Sequence, residues 1–236
     1  MPKAPADCLE HARGGPRNNS FLPACKPHVS CHPVDQTVAS ALKAELEIQV
    51  AGHTGLLLVL PPASVYAAIR RIGEARDLKA GPETFFPERN IVGCHLRRRD
   101  IEYFRSLFHS AMNFGEQELM AACRDEYDFV IVLPHGHWNF DLLLCHELAH
   151  VLFEYRAQSR ATALKFWNAY TSQEREEIVA ELKADGYQDY DFVDETFARI
   201  MGGAAHPPSN KVAEMGAMRM FMVIFRWVHE NCTEVC

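Results

Sequence analysis

Apolar positions in the N-terminal half of the chain come in short blocks of strand character. Leu56-Leu-Leu-Val-Leu60 is a continuous apolar run stopped by Pro61-Pro62, the signature of a strand buried on both faces. Before it, Asp35–Leu46 fits a short helix, Glu47–Ala51 a strand, and Gly52-His-Thr-Gly55 a turn. After it, Val65, Ala68, Ile69 and Ile72 keep one face of a helix over Ala63–Arg76. Gly81–Pro87 reads as a loop and Ile91–Leu96 as a strand. Helices over Asp100–Met112 and Glu116–Arg124 come next. The clearest strand is Tyr127-Asp-Phe-Val-Ile-Val-Leu-Pro134, rich in β-branched and aromatic residues and closed by proline.

From Asn139 the period changes. No Pro or Gly interrupts Asn139–Arg160, and Leu142, Leu143, Cys145, Ala149, Val151, Leu152 and Phe153 make it a largely buried helix. The rest of the chain reads as helices. Ala161–Tyr170 is one, and Thr171-Ser-Gln-Glu174 is a capping box that opens another, running to Asp185 and stopped by Gly186. Asp191–Met201 ends at Gly202-Gly203. Asn210–Glu230 closes the chain, with Met215, Met218, Phe221, Met222, Phe225 and Trp227 expected to turn inward as core. Residues 1–34, rich in Pro, Gly and Asn without apolar periodicity, are expected to be a flexible leader. The prediction is an α+β domain over 35–236, with an α/β lobe over 35–160 and a helical lobe over 161–236. No internal repeat is present.

Chemistry enters at Cys145-His-Glu-Leu-Ala-His150. Residues four apart share a helix face, so His146 and His150 can offer two imidazoles to one metal ion. Glu147, one step round the helix, can reach a water on that ion. This is the H-E-x-x-H pattern of zinc metalloproteases, in which Glu is the general base. A catalytic zinc takes three protein ligands and keeps the fourth position open. No further His follows His150 until His206, so a downstream Glu is the expected donor. Glu195, opposite Phe197, Ile200 and Met201 on its helix, is one candidate. Glu181, with Asp185 four residues on, is the other. Glu154 reads either as a group orienting His150 or as a surface residue. His135 and His137 read as exposed loop residues.

Composition narrows the partners. Apolar content of 48% and charged content of 23% are ordinary for a globular domain, and a net charge of −7 argues against nucleic acid. Arg97-Arg98-Arg99 is followed at once by Asp100 and Glu102 and reads as a solvated helix start. No apolar run approaches the roughly 20 residues that span a bilayer, so no membrane partner is expected. The first residues lack the apolar core of a signal peptide. The expectation is a cytoplasmic protein with reduced thiols, with leaderless secretion as an effector left open. Cys8-x-x-His11, Cys25-x-x-His28 and Cys31-His32 match zinc-ligand spacing only loosely and lack apolar residues to build a finger.

H-E-x-x-H, a helical stretch, a Tyr-containing loop and Glu195-Thr-Phe-Ala198 together resemble the anthrax lethal factor-like zincins and the bacterial Pro-Pro endopeptidases. The resemblance covers about residues 127–230. It implies a zincin-like fold, with a small N-terminal sheet whose edge strand, upstream of the active-site helix, lies over that helix. It also implies zinc held by His146, His150 and Glu195, and a protein or peptide substrate laid along that edge. Tyr187 or Tyr190 would assist catalysis. Arg199 departs from the family, which often carries an acid there. Glu181 with Asp185 instead resembles thermolysin-like gluzincins, and Glu176–Leu182 the antirestriction-type metallopeptidases. A zinc-containing binding module without activity is the alternative of another class. Neither the oligomeric state nor the substrate is legible.

Overall fold

The computed structural model describes residues 26–27, 44–61, 93–108, 112 and 114–232. The helix expected over Ala63–Arg76, the loop Gly81–Pro87 and the Cys and His residues of the leader lie outside the described residues.

The chain is α+β, with a small sheet followed by a mostly helical part. Strands β2 (Ala44–Val50), β3 (His53–Leu60), β4 (Cys94–Arg97) and β5 (Phe129–Pro134) form the sheet, and the two-residue β1 (Lys26–Pro27) adds to one side. Their order is β1-β2-β3-β5-β4. β2 and β3 are an antiparallel hairpin, β3 and β5 run parallel, and β4 returns antiparallel to β5. The hairpin is tighter than expected. Ala51 and Gly52, both at positive φ, make the two-residue turn, so His53–Gly55 already belong to β3. Ala44–Leu46, expected at the end of a helix, belong to β2 because Leu46, Ile48 and Val50 alternate into the core.

The continuous apolar runs have a direct cause: both sheet faces are covered. Leu57, Val59, Phe129, Ile131 and Leu133 enter one core, and Leu56, Leu58, Val130 and Val132 enter another. Helices α1 (Arg98–Phe108) and α2 (Phe114–Ala122) cover the second core, through Ile101, Phe104, Leu119 and Met120. The first is covered by α3 (Phe140–Tyr155), α4 (Ala157–Ala169), α6 (Phe192–Met201) and α7 (Lys211–Cys232). Between α4 and α6 lies α5 (Ser172–Ala184). Its capping box is present: Thr171 Oγ1 accepts from Glu174 N–H at 3.2 Å, and Glu174 Oε2 accepts from Thr171 N–H at 2.6 Å.

Three expectations change. β5 is not the sheet edge; it is enclosed between β3 and β4, and among the described residues β4 ends the sheet. The long helical stretch breaks at Arg156, which is extended, and Arg160 donates to the Phe153 and Glu154 carbonyls that end α3. On α7, Met215, Met218 and Met222 are about half exposed; Ala217, Ile224, Trp227 and Val228 form the buried stripe. Among the described residues no helix is long and apolar enough to cross a membrane.

Phe129 anchors the sheet to α3. Its ring lies 5.8 Å from that of Tyr155, whose hydroxyl donates to Asp128 C=O at 2.8 Å. The same ring lies over Gly55, its partner on β3, where a Cβ would sit 2.2 Å from ring carbons. Gly55→Ala is therefore expected to destabilise the chain by about 1–3 kcal/mol, read as a lower urea midpoint. An unchanged midpoint would show that this contact does not constrain the sheet.

Candidate metal centre

α3 lies against the sheet with Leu144, Cys145, Leu148, Ala149 and Val151 buried. That packing fixes the rotation of the helix, and the rotation presents His146 and His150 together. Their Nε2 atoms are 3.2 Å apart. α6 closes the site from the other side and brings Glu195, only 4% exposed, to both rings. Glu195 Oε2 is 3.5 Å from His150 Nε2, and Oε1 is 3.9 Å from His146 Nε2. The close approach depends on Gly202 at the end of α6, where a Cβ would lie 2.9 Å from His146 Cβ and 3.2 Å from the Leu142 carbonyl oxygen.

The three donors could hold a metal ion, and their spacing is compatible with zinc. Ligands about 2.0–2.2 Å from a tetrahedral centre stand about 3.4 Å from one another, and the observed separations bracket that spacing. Electrostatics point the same way. Glu147 is 4% exposed, Glu195 equally so, and Asp194 sits beside His150 with Oδ1 3.0 Å from Nδ1. Three carboxylates drawn partly or wholly from water need positive charge within reach, because each buried ion costs several kcal/mol when unmatched. Arg199 supplies part of it. Its Nε donates to Glu195 Oε1 at 2.9 Å, Nη1 to Glu181 Oε1 at 2.7 Å and Nη2 to Asp185 Oδ2 at 2.6 Å.

The imidazoles respond to the same charges. Burial and the neighbouring His150 push His146 down to about 4. At His150 burial also opposes charge, but Asp194, Glu195 and Glu147 overcome it and lift the ring to about 10. Burial alone would raise the pKa of Glu195; His146, His150 and Arg199 outweigh it and hold the carboxyl below its ordinary range. The three side chains together could hold a metal ion. Asp194 pairs with the protonated His150 ring across that 3.0 Å contact. A carboxylate so placed favours the proton on Nδ1, leaving the Nε2 lone pair for an ion.

Of the residues expected from sequence, His146, His150 and Glu195 converge, and Glu147 is buried on the same turn of α3. The Glu147 carboxylate lies against Gly93, where a Cβ would stand 3.3 Å from Oε1. Glu181 does not join the cluster. Its side chain is 68% exposed and reaches the site only through Arg199. Nor does Glu154 reach His150; it pairs with Arg99 at 3.1 Å and Arg97 at 3.8 Å. That pairing also accounts for two of the three arginines read as a solvated run. The Arg199 guanidinium lies 5.6 Å from the ring centroid of Tyr187, whereas Tyr190 is 68% exposed. His135 is exposed; His137, half-buried, accepts from Asn139 N–H through Nδ1 at 3.3 Å.

Sequence reasoning missed Asp194, Arg199 as a clamp on Glu195, and His95. The His95 ring, on β4, lies parallel to that of His150 with centroids 6.0 Å apart. Asp194 and Arg199 had a usable signal, since i−1 and i+4 neighbours of a ligand border its helix face. His95 had none, because only the sheet order brings it near. Compared with known proteins, the chain matches no family model, no curated protein and no solved structure.

Removing the charge beside His150 tests the arrangement. Asp194→Asn is expected to weaken zinc binding about 10- to 100-fold, measured by competition with a chromogenic chelator. Unchanged affinity would remove Asp194 from the site.

Proposed function

We propose that the chain is a zinc-dependent metalloendopeptidase of zincin-like fold. The observation that carries the reading is the convergence of His146 Nε2, His150 Nε2 and the Glu195 carboxylate beside a second buried acid, Glu147. A site built only to hold an ion has no use for that second acid; hydrolysis does.

His146, His150 and Glu195 would hold the ion. A zinc ion held there would supply Lewis acidity toward a carbonyl oxygen and would lower the pKa of a water toward about 7. Glu147 takes a proton from the attacking water and hands it to the leaving amine. Asp194 biases the His150 tautomer, and Arg199 fixes the rotation of Glu195. A tyrosine donates to the developing oxyanion. Tyr187 is the better supported of the two, through its contact with Arg199, and Tyr190 is the alternative. A peptide substrate added to the sheet on the side of His95 would lie along β4, since β5 is enclosed.

The exposure of Glu181 and its engagement with Arg199 count against it as third ligand. Glu195→Ala is expected to empty the purified protein of zinc and Glu181→Ala to leave it loaded, read by metal analysis. The opposite pattern would make this a gluzincin-like site. Glu147→Gln should keep zinc yet cut a peptide library at least about 100-fold more slowly. Equal turnover in that variant sinks the general-base role. A wild-type protein that is loaded with zinc but leaves the library uncut is a binding module instead.

A further inference from the structure

Helix α7 closes the core with one stripe and leaves a second stripe bare. Ala217, Ile224 and Val228 are buried, whereas Met215, Met218 and Met222 are about half exposed. Val212 and Val223 are exposed on the same helix, so five of the eight large apolar residues exposed among the described residues belong to α7. Single exposed apolar residues need no explanation, but their concentration on one helix marks a contact surface. The three methionines stand at i, i+3 and i+7, and half-buried Phe225 continues the series at i+10. That is the alternating three- and four-residue spacing of a seam where two helices pack knobs into holes.

The charges beside the seam say what covers it. Glu214 lies on one flank, just before Met215, and Arg219 on the other, just after Met218. Both are exposed, and neither side chain makes a hydrogen bond or ion pair among the described residues. Arg226, by contrast, is already engaged with Glu230 at 2.6 Å. In a parallel pair of identical helices, a residue on one flank meets the residue five positions further on, on the opposite flank of its neighbour. Glu214 and Arg219 have that separation and opposite sign. Two copies of α7 side by side therefore make the pair twice, once on each side of the seam. An antiparallel pairing through the same methionines sets Arg219 against Arg226 of the partner subunit, like charge on like.

We propose that the outward stripe of α7 is the interface for a second copy of this chain, with the two helices parallel about a twofold axis. Met215, Met218 and Met222 pack on their counterparts, and Glu214 pairs with Arg219 of the partner subunit. The same patch serves both copies, so association closes as a dimer. The interface shares no residue with the His146–His150–Glu195 cluster and does not depend on its activity.

Analytical ultracentrifugation of the full chain over a wide range of protein concentration tests the assignment. A monomer–dimer equilibrium is expected, with a melting temperature that rises with concentration. Met218→Glu should hold the chain monomeric, and because Met218 is half exposed the far-UV spectrum should not change. Glu214→Arg and Arg219→Glu should each weaken association about tenfold by facing like charges, and the two together should restore it. Met218→Cys should join two copies through a disulfide under mild oxidation, because a parallel seam puts that position beside its own counterpart. Wild type, with its native cysteines, is the control. The proposal is overturned if the chain is monomeric at every concentration, if Met218→Glu leaves the dimer intact, or if the double charge exchange fails to restore it. Cross-linking of Met218→Cys to Met222→Cys, but not to itself, overturns the parallel arrangement.

Discussion

A carboxylate withdrawn from water must be met by positive charge, and Glu195 is almost wholly withdrawn. Its burial against His146 and His150 is the constraint from which the rest of the centre follows. α6 can approach α3 this closely only because Gly202 has no side chain where it passes His146. Having arrived, Glu195 is held by Arg199, and Arg199 is itself held by Asp185 and Glu181 on the far side. The acids seen on α5 thus do serve the site, at one remove. They keep a guanidinium in place that would otherwise lose much of its side-chain entropy for one contact.

The sheet gives this arrangement its rigidity. With cores on both faces, β3 and β5 cannot slip by one residue without exchanging Leu57 and Val59 for Leu56 and Leu58. Phe129 carries that fixed register outward to Tyr155 and so to α3. Arg97 and Arg99, at the end of β4 and the start of α1, reach Glu154 on the last turn of α3. α3 is therefore pinned at its C-terminal end and pressed along its length. A helix so held keeps two imidazoles in one orientation, the requirement for a donor set that must not relax when an ion enters.

The ends of α3 have opposite electrical character. Around His146 and His150 carboxylates dominate. Around Arg156 the exposed first turn of α4 and Arg219 reverse the sign. The division reflects chain order: the acids come from α3 and α6, and the cations from the α3–α4 break and α7. Helix α7 also carries two apolar stripes. Ala217, Ile224 and Val228 face the core, while Met215, Met218 and Met222 face outward at similar helical spacing.

Local rules were sufficient for much of this. The spacing of His146 and His150 places both on one helix face whatever surrounds them. Hydrogen-bonding chemistry within four residues fixes the cap at Thr171 and Glu174. The apolar run Leu56–Leu60 implies a strand buried on two faces. Other features depend on which elements meet, and no local pattern encodes that. Glu181 and Glu195 look alike as helix acids, and only the packing of α6 on α3 buries one and leaves the other in water. β5 has the most strand-like sequence, yet its place inside the sheet is set by β4 returning on its far side. On α7 both stripes have the same period, and the choice between them was made by the position of α3. Periodicity says which residues share a face; what covers that face is a property of the folded chain as a whole.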